Sequence, residues 1–189
     1  MWKPDGTVKK ELEHFNDSAH AHELTFSCHH RWPLLNKDRS REWVIESLDL
    51  ARAKYDLELW AYVIMPEHVH ALLYPRRDVY DMAKVLQTIK QSVARRATNY
   101  LRANAPEWLE RLKVTRPGGR VECRFWEQGG GYDRNIFSAK AAWASIHYLH
   151  DNPVRRGLVG VATDWTWSSA RWYAGLEGVA LEMDGAPTV

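Results

Sequence analysis

Strands are indicated where apolar residues alternate with polar ones or form short unbroken runs. His20–Cys28 alternates with period two among β-forming residues, which predicts a first strand. Leu57–Met65 is a nearly continuous apolar run and predicts a buried second strand. After the break at Pro66-Glu67, His68–Tyr74 predicts a third strand. Two strands separated by so short a break should pair as an antiparallel hairpin.

Helical periodicity appears between and beyond these strands. A first helix follows Asn36 or Ser40, either of which can cap it, and it places one apolar residue per turn on a single face. The clearest helix is Met82–Arg102. Its apolar stripe consists of Met82, Leu86, Ile89, Val93, Ala97 and Tyr100. Further along, Val121–Trp126 predicts a fourth strand, and Ala139–His150 predicts a helix that Asn152-Pro153 should stop, with Gly157 as the end signal after one more turn.

The resulting order is β-α-β-β-α-β with one more helix after it. This order predicts an α+β fold of the ferredoxin-like, or RRM-like, kind, with an antiparallel sheet, two helices on one face and an appended C-terminal helix. A chain of 189 residues suits a single domain. We expect the domain to span residues 20–175, between a flexible arm at 1–19 and a flexible tail at 176–189.

Composition narrows the function classes. The net charge is only +2, so a case for nucleic-acid binding depends on where the basic residues lie. The 10 Trp and 8 Tyr supply core material and also flat surfaces on which bases could stack. The N-terminal residues lack the apolar centre of a signal peptide, and no run approaches the ~20 apolar residues of a membrane helix. We therefore expect a soluble cytoplasmic protein.

His68 and His70 are the first candidates for chemistry. Side chains on a strand alternate between faces, so both imidazoles should point the same way and could share one divalent metal ion. By itself this spacing is a weak signal, because His20 and His22 repeat it, although these two are expected to be exposed. His29-His30 follows Cys28, but no further Cys or His lies at zinc-finger spacing, so a structural zinc site is rejected.

A basic face on the predicted helix Met82–Arg102 is the candidate surface for DNA. No acidic residue occurs between Met82 and Ala103, and such a face could follow a phosphate backbone, although most charged stripes are simply solvated. The basic residues of this face are Lys84, Lys90, Arg95, Arg96 and Arg102. Three more arginines fall near the other candidate residues, namely Arg134, Arg155 and Arg156.

Four blocks of the sequence carry a resemblance to a known family. The longest, Ala61–His70, is an apolar strand followed by Met-Pro, one polar residue and His-Val-His. The others are Leu24–Cys28 with Arg31 and Pro33, Phe125–Gln128 with Tyr132–Arg134, and Tyr148–Val159 followed by Trp167-Ser168-Ser169. Taken in chain order, the four blocks span nearly the whole chain. Together they resemble the REP-associated tyrosine transposases, which are single-tyrosine enzymes of the HUH class.

The resemblance implies a DNA transposase. In such an enzyme a tyrosine hydroxyl attacks a phosphodiester of single-stranded, hairpin-bearing DNA, becomes joined to the 5′ phosphate and frees a 3′ hydroxyl. Matching motif to motif assigns the nucleophile to Tyr132, and it assigns to His68 and His70 a divalent metal, Mg²⁺ or Mn²⁺. Tyr148 and Tyr100 are alternative nucleophiles, on helix faces that we expect to pack against the core.

Several alternatives stay open from sequence alone. Asn135 could supply a third metal ligand, whereas Glu67 is expected to point to the opposite face from His68. The DNA partner is single-stranded or hairpin DNA, and the protein is a monomer or a homodimer. Rival functions are an inactive RRM-like module that binds single-stranded nucleic acid and a metal-dependent nuclease that uses water as its nucleophile.

Overall fold

Six strands and five α-helices follow one another in the part of the chain that the structure, a computed structural model, describes: residues 16, 20–129, 131–185 and 187. The strands are β1 (Ala21–Ser27), β2 (Leu57–Ile64), β3 (His68–Pro75), β4 (Lys113–Thr115), β5 (Val121–Cys123) and β6 (Tyr132–Ile136). The helices are α1 (Asp38–Tyr55), α2 (Met82–Asn104), α3 (Pro106–Arg111), α4 (Ala139–Arg155) and α5 (Ala170–Tyr173). Short 3-10 turns occur at His29–Arg31 and Ala162–Asp164.

Four of the strands form one antiparallel sheet in the order β2-β3-β1-β6. In its register Thr25 lies opposite His70 on one side and opposite Tyr132 on the other, and Ser27 lies opposite His68. The first three strands, helix α1 between β1 and β2, and helix α2 after β3 fall close to their predicted positions. The predicted α+β, ferredoxin-like arrangement is confirmed.

The predicted fourth strand forms only over Val121–Cys123, and it lies outside the main sheet. Val121–Cys123 pairs with Lys113–Thr115 in a separate two-stranded hairpin, because the Arg116–Arg120 turn brings these two neighbouring segments together. The fourth strand of the main sheet is instead Tyr132–Ile136, which pairs with β1. This strand places Tyr132 on the sheet itself.

The sheet is covered on both faces. On one face Leu24 and Phe26 of β1 pack with the apolar sides of α1 and α2 in the larger core cluster. On the other face Leu72 of β3 packs with Ile146 and Leu149 of the appended helix α4. Burying a large aliphatic side chain contributes about 1.5–3 kcal/mol, so these two clusters hold both layers against the sheet.

Helix α4 runs further than the sequence suggested. It continues through Pro153 to Arg155, and Gly157, with a φ of 66°, ends it. The last turn tolerates the proline because the following amides still find acceptors, such as the carbonyl of Asn152 for Arg156. Among the described residues, no helix combines the length and hydropathy needed to cross a bilayer.

Two further expectations about chain ends differ from the structure. Helix α1 begins at Asp38 without a side-chain cap, so neither Asn36 nor Ser40 has the predicted role. The segment expected to be a frayed tail packs on the core, because Met183 is buried and the Asp184 carboxylate accepts a hydrogen bond from the amide of Leu59. The predicted arm at 1–19 lies outside the described residues except for Asn16.

Candidate functional site

His68 and His70 lie on the face of the sheet that α4 covers. They alternate along β3 with Val69 and Ala71, which belong to the core cluster on the opposite face. The two imidazole rings have their centroids 4.9 Å apart and are nearly perpendicular. Both side chains are buried, at 8% and 7% exposure. The predicted placement of both rings on one face is confirmed.

Both rings are held through the same nitrogen. Nδ1 of His70 lies 2.7 Å from Oγ1 of Thr25, its neighbour across β1. Nδ1 of His68 lies 3.1 Å from Oε1 of Glu67, and that oxygen also accepts a hydrogen bond of 2.8 Å from Arg156. Glu67 therefore does not point away from His68, because the turn between β2 and β3 folds its carboxylate back onto the ring. These partners fix each ring and leave Nε2 as the nitrogen that each can offer to a metal.

Both histidines are held in the neutral form that binds metals. Burial lowers the pKa of His68, and burial together with the neighbouring His68 lowers the pKa of His70 to about 3. A metal competes with a proton for the same lone pair, so a neutral ring at physiological pH is ready to act as a ligand. The donor set therefore fits a divalent ion.

The other pair at the same spacing is different. His22 is fully buried rather than exposed, and it lies on the opposite face of the sheet. Its Nδ1 is 2.8 Å from an Asp133 carboxylate oxygen and its Nε2 is 2.8 Å from the Tyr80 hydroxyl. Because both ring nitrogens are engaged, His22 has none to offer to a metal. Sequence spacing could not separate the two pairs, but their hydrogen bonds do.

A carboxylate that sequence reasoning passed over lies beside the histidine pair. Glu23 is 5% exposed, and its Oε1 is 4.0 Å from Nδ1 of His70. The other oxygen accepts hydrogen bonds from Ser145 of α4 and from Arg134. The signal was present in the alternation of β1, which puts Glu23 on the same face as Thr25. Asn135, the predicted third ligand, alternates with Arg134 and so belongs to the opposite face.

Two tyrosines border this face. Tyr132 on β6 is 53% exposed, and Tyr148 on α4 is 46% exposed, so Tyr148 is not packed into the core as expected. The ring of Tyr148 stands perpendicular to that of His70, with centroids 6.2 Å apart. Both tyrosines line one cleft of about 400 Å³, together with Glu23, Arg134 and Ser145. Tyr100 lies on α2, which covers the other face.

The predicted basic residues divide between the two faces. Arg134 bonds Glu23, Arg156 bonds Glu67, and the guanidinium of Arg155 lies 5.1 Å from the centroid of the Tyr148 ring. Each of these three arginines therefore contacts a residue that lies beside the histidine pair. Apart from Lys90, the α2 residues are exposed on the helix that packs against the opposite face, and two of them form ion pairs there, Lys84 with Asp81 and Arg96 with Glu46. Arg95 and Arg102 are exposed on the same helix.

Lys90 differs from the rest of the α2 set. Its ammonium donates to the carbonyl oxygens of Glu127 and Gly129, at 3.0 and 2.8 Å. It thereby ties α2 to the segment that leads into β6. It also lines a cleft of about 260 Å³ with Arg31 and Tyr132, so it reaches the edge of the sheet near the tyrosine. Arg31 was not singled out as a DNA ligand, although it belongs to one of the blocks noted in the sequence.

Comparisons with known proteins bear on the family and the fold of this chain. The family described as "Transposase IS200 like" matches residues 17–113. A Haemophilus influenzae protein that carries the provisional name REP-associated tyrosine transposase is 24% identical over 140 residues, which cover 70% of this chain and 74% of that protein. The solved structure of a REP-associated tyrosine transposase bound to a REP hairpin matches with a TM-score of 0.66 at 15% identity, covering 95% of this chain and 98% of that one. This last similarity establishes the fold.

Proposed function

The chain belongs to the family of IS200-like transposases, and from that premise we propose that it cleaves and rejoins single-stranded, hairpin-bearing DNA through a covalent tyrosine–phosphate bond. The observation that carries the proposal is the convergence, on one face of the sheet, of two metal-competent histidines and two exposed tyrosines. The solved relative bound to a REP hairpin supports a hairpin as the DNA partner.

His68 and His70 would hold the divalent metal, Mg²⁺ or Mn²⁺, through their Nε2 atoms. Such an ion supplies Lewis-acid polarisation of a phosphate oxygen. Thr25 and Glu67 keep the two rings oriented for this, and Arg156 holds Glu67 in place. Glu23, in the same buried layer, would complete the ligand set through Oε1, because Ser145 and Arg134 both bond its other oxygen.

Two residues compete for the role of nucleophile. Tyr132, the sequence-based candidate, lies on β6 two strands away from His70. Tyr148 lies with its ring against His70 on a helix that packs on the sheet. The contact between Tyr148 and His70 favours Tyr148, and we propose it as the nucleophile, with Tyr132 as the second candidate in the same cleft.

The chemical step exchanges one ester bond for another. The tyrosine Oη forms a bond to phosphorus while the bond from phosphorus to O3′ breaks, and the phenolic proton ends on the departing 3′ hydroxyl. A later 3′ hydroxyl attacks the phosphotyrosine and reverses the exchange, so no external energy source is needed. We propose that Arg155 and Arg156, at the end of α4, bind DNA phosphates near the scissile bond.

The remaining basic residues would bind DNA at different distances from the chemistry. Arg134 lies in the cleft with both tyrosines, whereas Lys84, Arg95, Arg96 and Arg102 line α2 on the opposite layer. We propose that the α2 set attracts the phosphate backbone of the hairpin stem and that Lys90 acts mainly by fixing the segment before β6. Cys28 and Cys123 are free thiols, in keeping with the reducing cytoplasm in which we place this activity.

One experiment tests the function directly. The protein is incubated with Mn²⁺ and a labelled single-stranded hairpin, denatured and separated by electrophoresis. We expect a covalent protein–DNA band that Tyr148→Phe abolishes and Tyr132→Phe weakens. Loss of the band in Tyr132→Phe alone would move the nucleophile to Tyr132.

The same assay separates the rival functions. Binding without any covalent band would favour an inactive nucleic-acid-binding module. Cleavage that persists when both tyrosines are replaced by phenylalanine would favour a nuclease that uses water. His68→Ala and His70→Ala should remove cleavage and keep most of the DNA affinity, since the arginines remain.

A further inference from the structure

His29, His30 and Glu127 form a cluster of ligand atoms outside the site described above. One nitrogen from each histidine and one carboxylate oxygen all lie within 4.8 Å of one another. The two imidazole rings are close, with centroids 3.9 Å apart, and Nδ1 of His29 is 3.6 Å from Oε1 of Glu127. Two imidazoles and a carboxylate at these separations are a donor set that transition-metal ions favour.

The backbone brings together two rings that an ordinary chain would keep apart. Neighbouring residues in an extended segment point in opposite directions. Here His30 has a φ of 53°, in the left-handed region, and Arg31 has the same value. The resulting tight turn folds the His30 ring onto that of His29. Glu127 reaches the turn because its own amide donates to the carbonyl of Ser27, at the end of β1.

A buried, unpartnered nitrogen points to an absent ligand. The His29 side chain is buried at 5% exposure, and within the described part of the chain its Nδ1 has no hydrogen-bond partner. Buried polar atoms are nearly always satisfied. Glu127 does not satisfy this one at 3.6 Å, but an ion lying between the two atoms would.

The carboxylate is already oriented for such an ion. The amide of His30 donates to Oε1 of Glu127 at 2.6 Å, which fixes the carboxylate beside the two histidines. Two cations lie nearby and are both engaged: Arg124 pairs with Glu122, and Lys90 bonds two backbone carbonyls. The negative charge of Glu127 therefore stays directed at the histidines.

We propose that His29, His30 and Glu127 bind a transition-metal ion of the Zn²⁺ type, separate from the ion assigned to His68 and His70. The ion would connect the end of β1 to the segment that begins at Phe125 and leads into β6. Lys90 holds the same segment from α2. The site would therefore steady the approach to Tyr132 without touching the substrate.

Zinc binding to the whole protein tests the proposal. Metal-stripped protein is titrated with Zn²⁺ by calorimetry, and bound metal is counted after dialysis. His30→Ala, at an exposed position, should bind one equivalent fewer than the native chain. Glu127→Gln keeps an oxygen for the His30 amide but loses the charge, and it should weaken that equivalent at least tenfold. Circular dichroism confirms that each variant is folded.

A control variant and a hydrogen-exchange measurement test whether zinc binds specifically at this cluster. His147→Ala removes an exposed histidine from α4 and should leave the number of equivalents unchanged. Zn²⁺ should slow hydrogen exchange in the peptide that contains residues 125–129, and His30→Ala should abolish that effect. If His30→Ala and Glu127→Gln both bind as many equivalents as the native chain and as tightly, the cluster is not a metal site. An equal loss in His147→Ala would show nonspecific binding and overturn the proposal as well. Neither result depends on DNA cleavage.

Discussion

The Thr25 hydroxyl and the His70 ring face each other across two paired strands, with Oγ1 2.7 Å from Nδ1. The register of β1 and β3 sets this contact, because the two residues are direct partners in the ladder. It fixes which ring nitrogen is turned toward the hydroxyl and therefore which one is turned toward a metal.

Thr25→Val should weaken metal binding at the histidine pair. Valine keeps the shape of threonine and the preference for a strand but removes the hydroxyl, so the His70 ring loses its orientation. Losing such a partner typically costs about 10–100-fold in metal affinity. Calorimetric titration with Mn²⁺ measures the change. Thr115→Val, on the small hairpin, is the matched control and should bind like the native protein; equal weakening in both variants would contradict the role given to Thr25.

Gly131 should tolerate no side chain, whereas Gly129 should tolerate one at lower cost. Both have a positive φ, a conformation that costs a residue with a Cβ, such as alanine, roughly 1–2 kcal/mol. Only at Gly131 would a Cβ also overlap the carbonyl oxygen of Thr25. We therefore expect Gly131→Ala to lower the free energy of unfolding more than Gly129→Ala and to disturb the pairing of Tyr132 with β1. Urea denaturation of the two variants decides this, and equal losses would argue against the close contact.

His150 should make the protein less stable in mild acid. Burial, followed by the effect of His147, lowers its pKa to about 4, while Asp151 acts in the opposite direction. Its Nε2 is 2.8 Å from the Ser169 hydroxyl, and its ring packs on Tyr173.

The direction in which stability changes with pH follows from comparing the folded and the unfolded chain. The unfolded chain takes up a proton near pH 6.5, and the folded chain does so only near pH 4. Stability is therefore fully present above pH 6.5 and declines as the pH falls toward 4. Linkage predicts a loss of about 2 kcal/mol between pH 7 and pH 5 from this group. Urea denaturation at both pH values should show a smaller loss for His150→Gln than for the native chain; identical losses would exclude His150 as a source.

The candidate site should be complete within one chain. His70, Tyr148 and Tyr132 are brought together by the sheet and helix of a single molecule. A mixture of inactive His70→Ala and Tyr148→Phe proteins should therefore form no covalent adduct with hairpin DNA. If the two proteins restored activity to one another, a dimer that exchanges α4 would be required instead. Light scattering of the native protein, expected to give a monomer of 22.0 kDa, provides the parallel measurement.

Local patterns accounted for much of the fold. The alternation in β1, the apolar run of β2 and the stripe of α2 depend on contacts that a short window of sequence already reveals, so their bounds were close. The fourth strand was missed because Tyr132–Ile136 is short and polar, and only its pairing with β1, more than a hundred residues away, makes it a strand. Val121–Cys123 has better strand-forming residues but lies next to a turn that closes it on β4.

In the candidate site, too, some features follow from local sequence and others depend on tertiary packing. Period two was enough to place His68 and His70 on one face. It could not show that the nitrogens of His22 are both occupied, or that the carboxylate of Glu23 lies beside His70. Tyr148 was judged from its helix face to be core-bound, but α4 covers the sheet only partly and leaves that ring at the edge of the cleft. Such relations arise from tertiary packing and have no local signature.

Helix α4 contacts the face of the sheet that carries His68 and His70 at three separate levels. Ser145 bonds Glu23, Tyr148 stands against His70, and Arg156, just past its end, bonds Glu67. A shift of the helix by one turn, about 5.4 Å, would break all three contacts together. The three contacts are therefore made or lost together. A small molecule that binds between α4 and the sheet and separates them would inactivate the protein without occupying the DNA-binding or metal-binding positions.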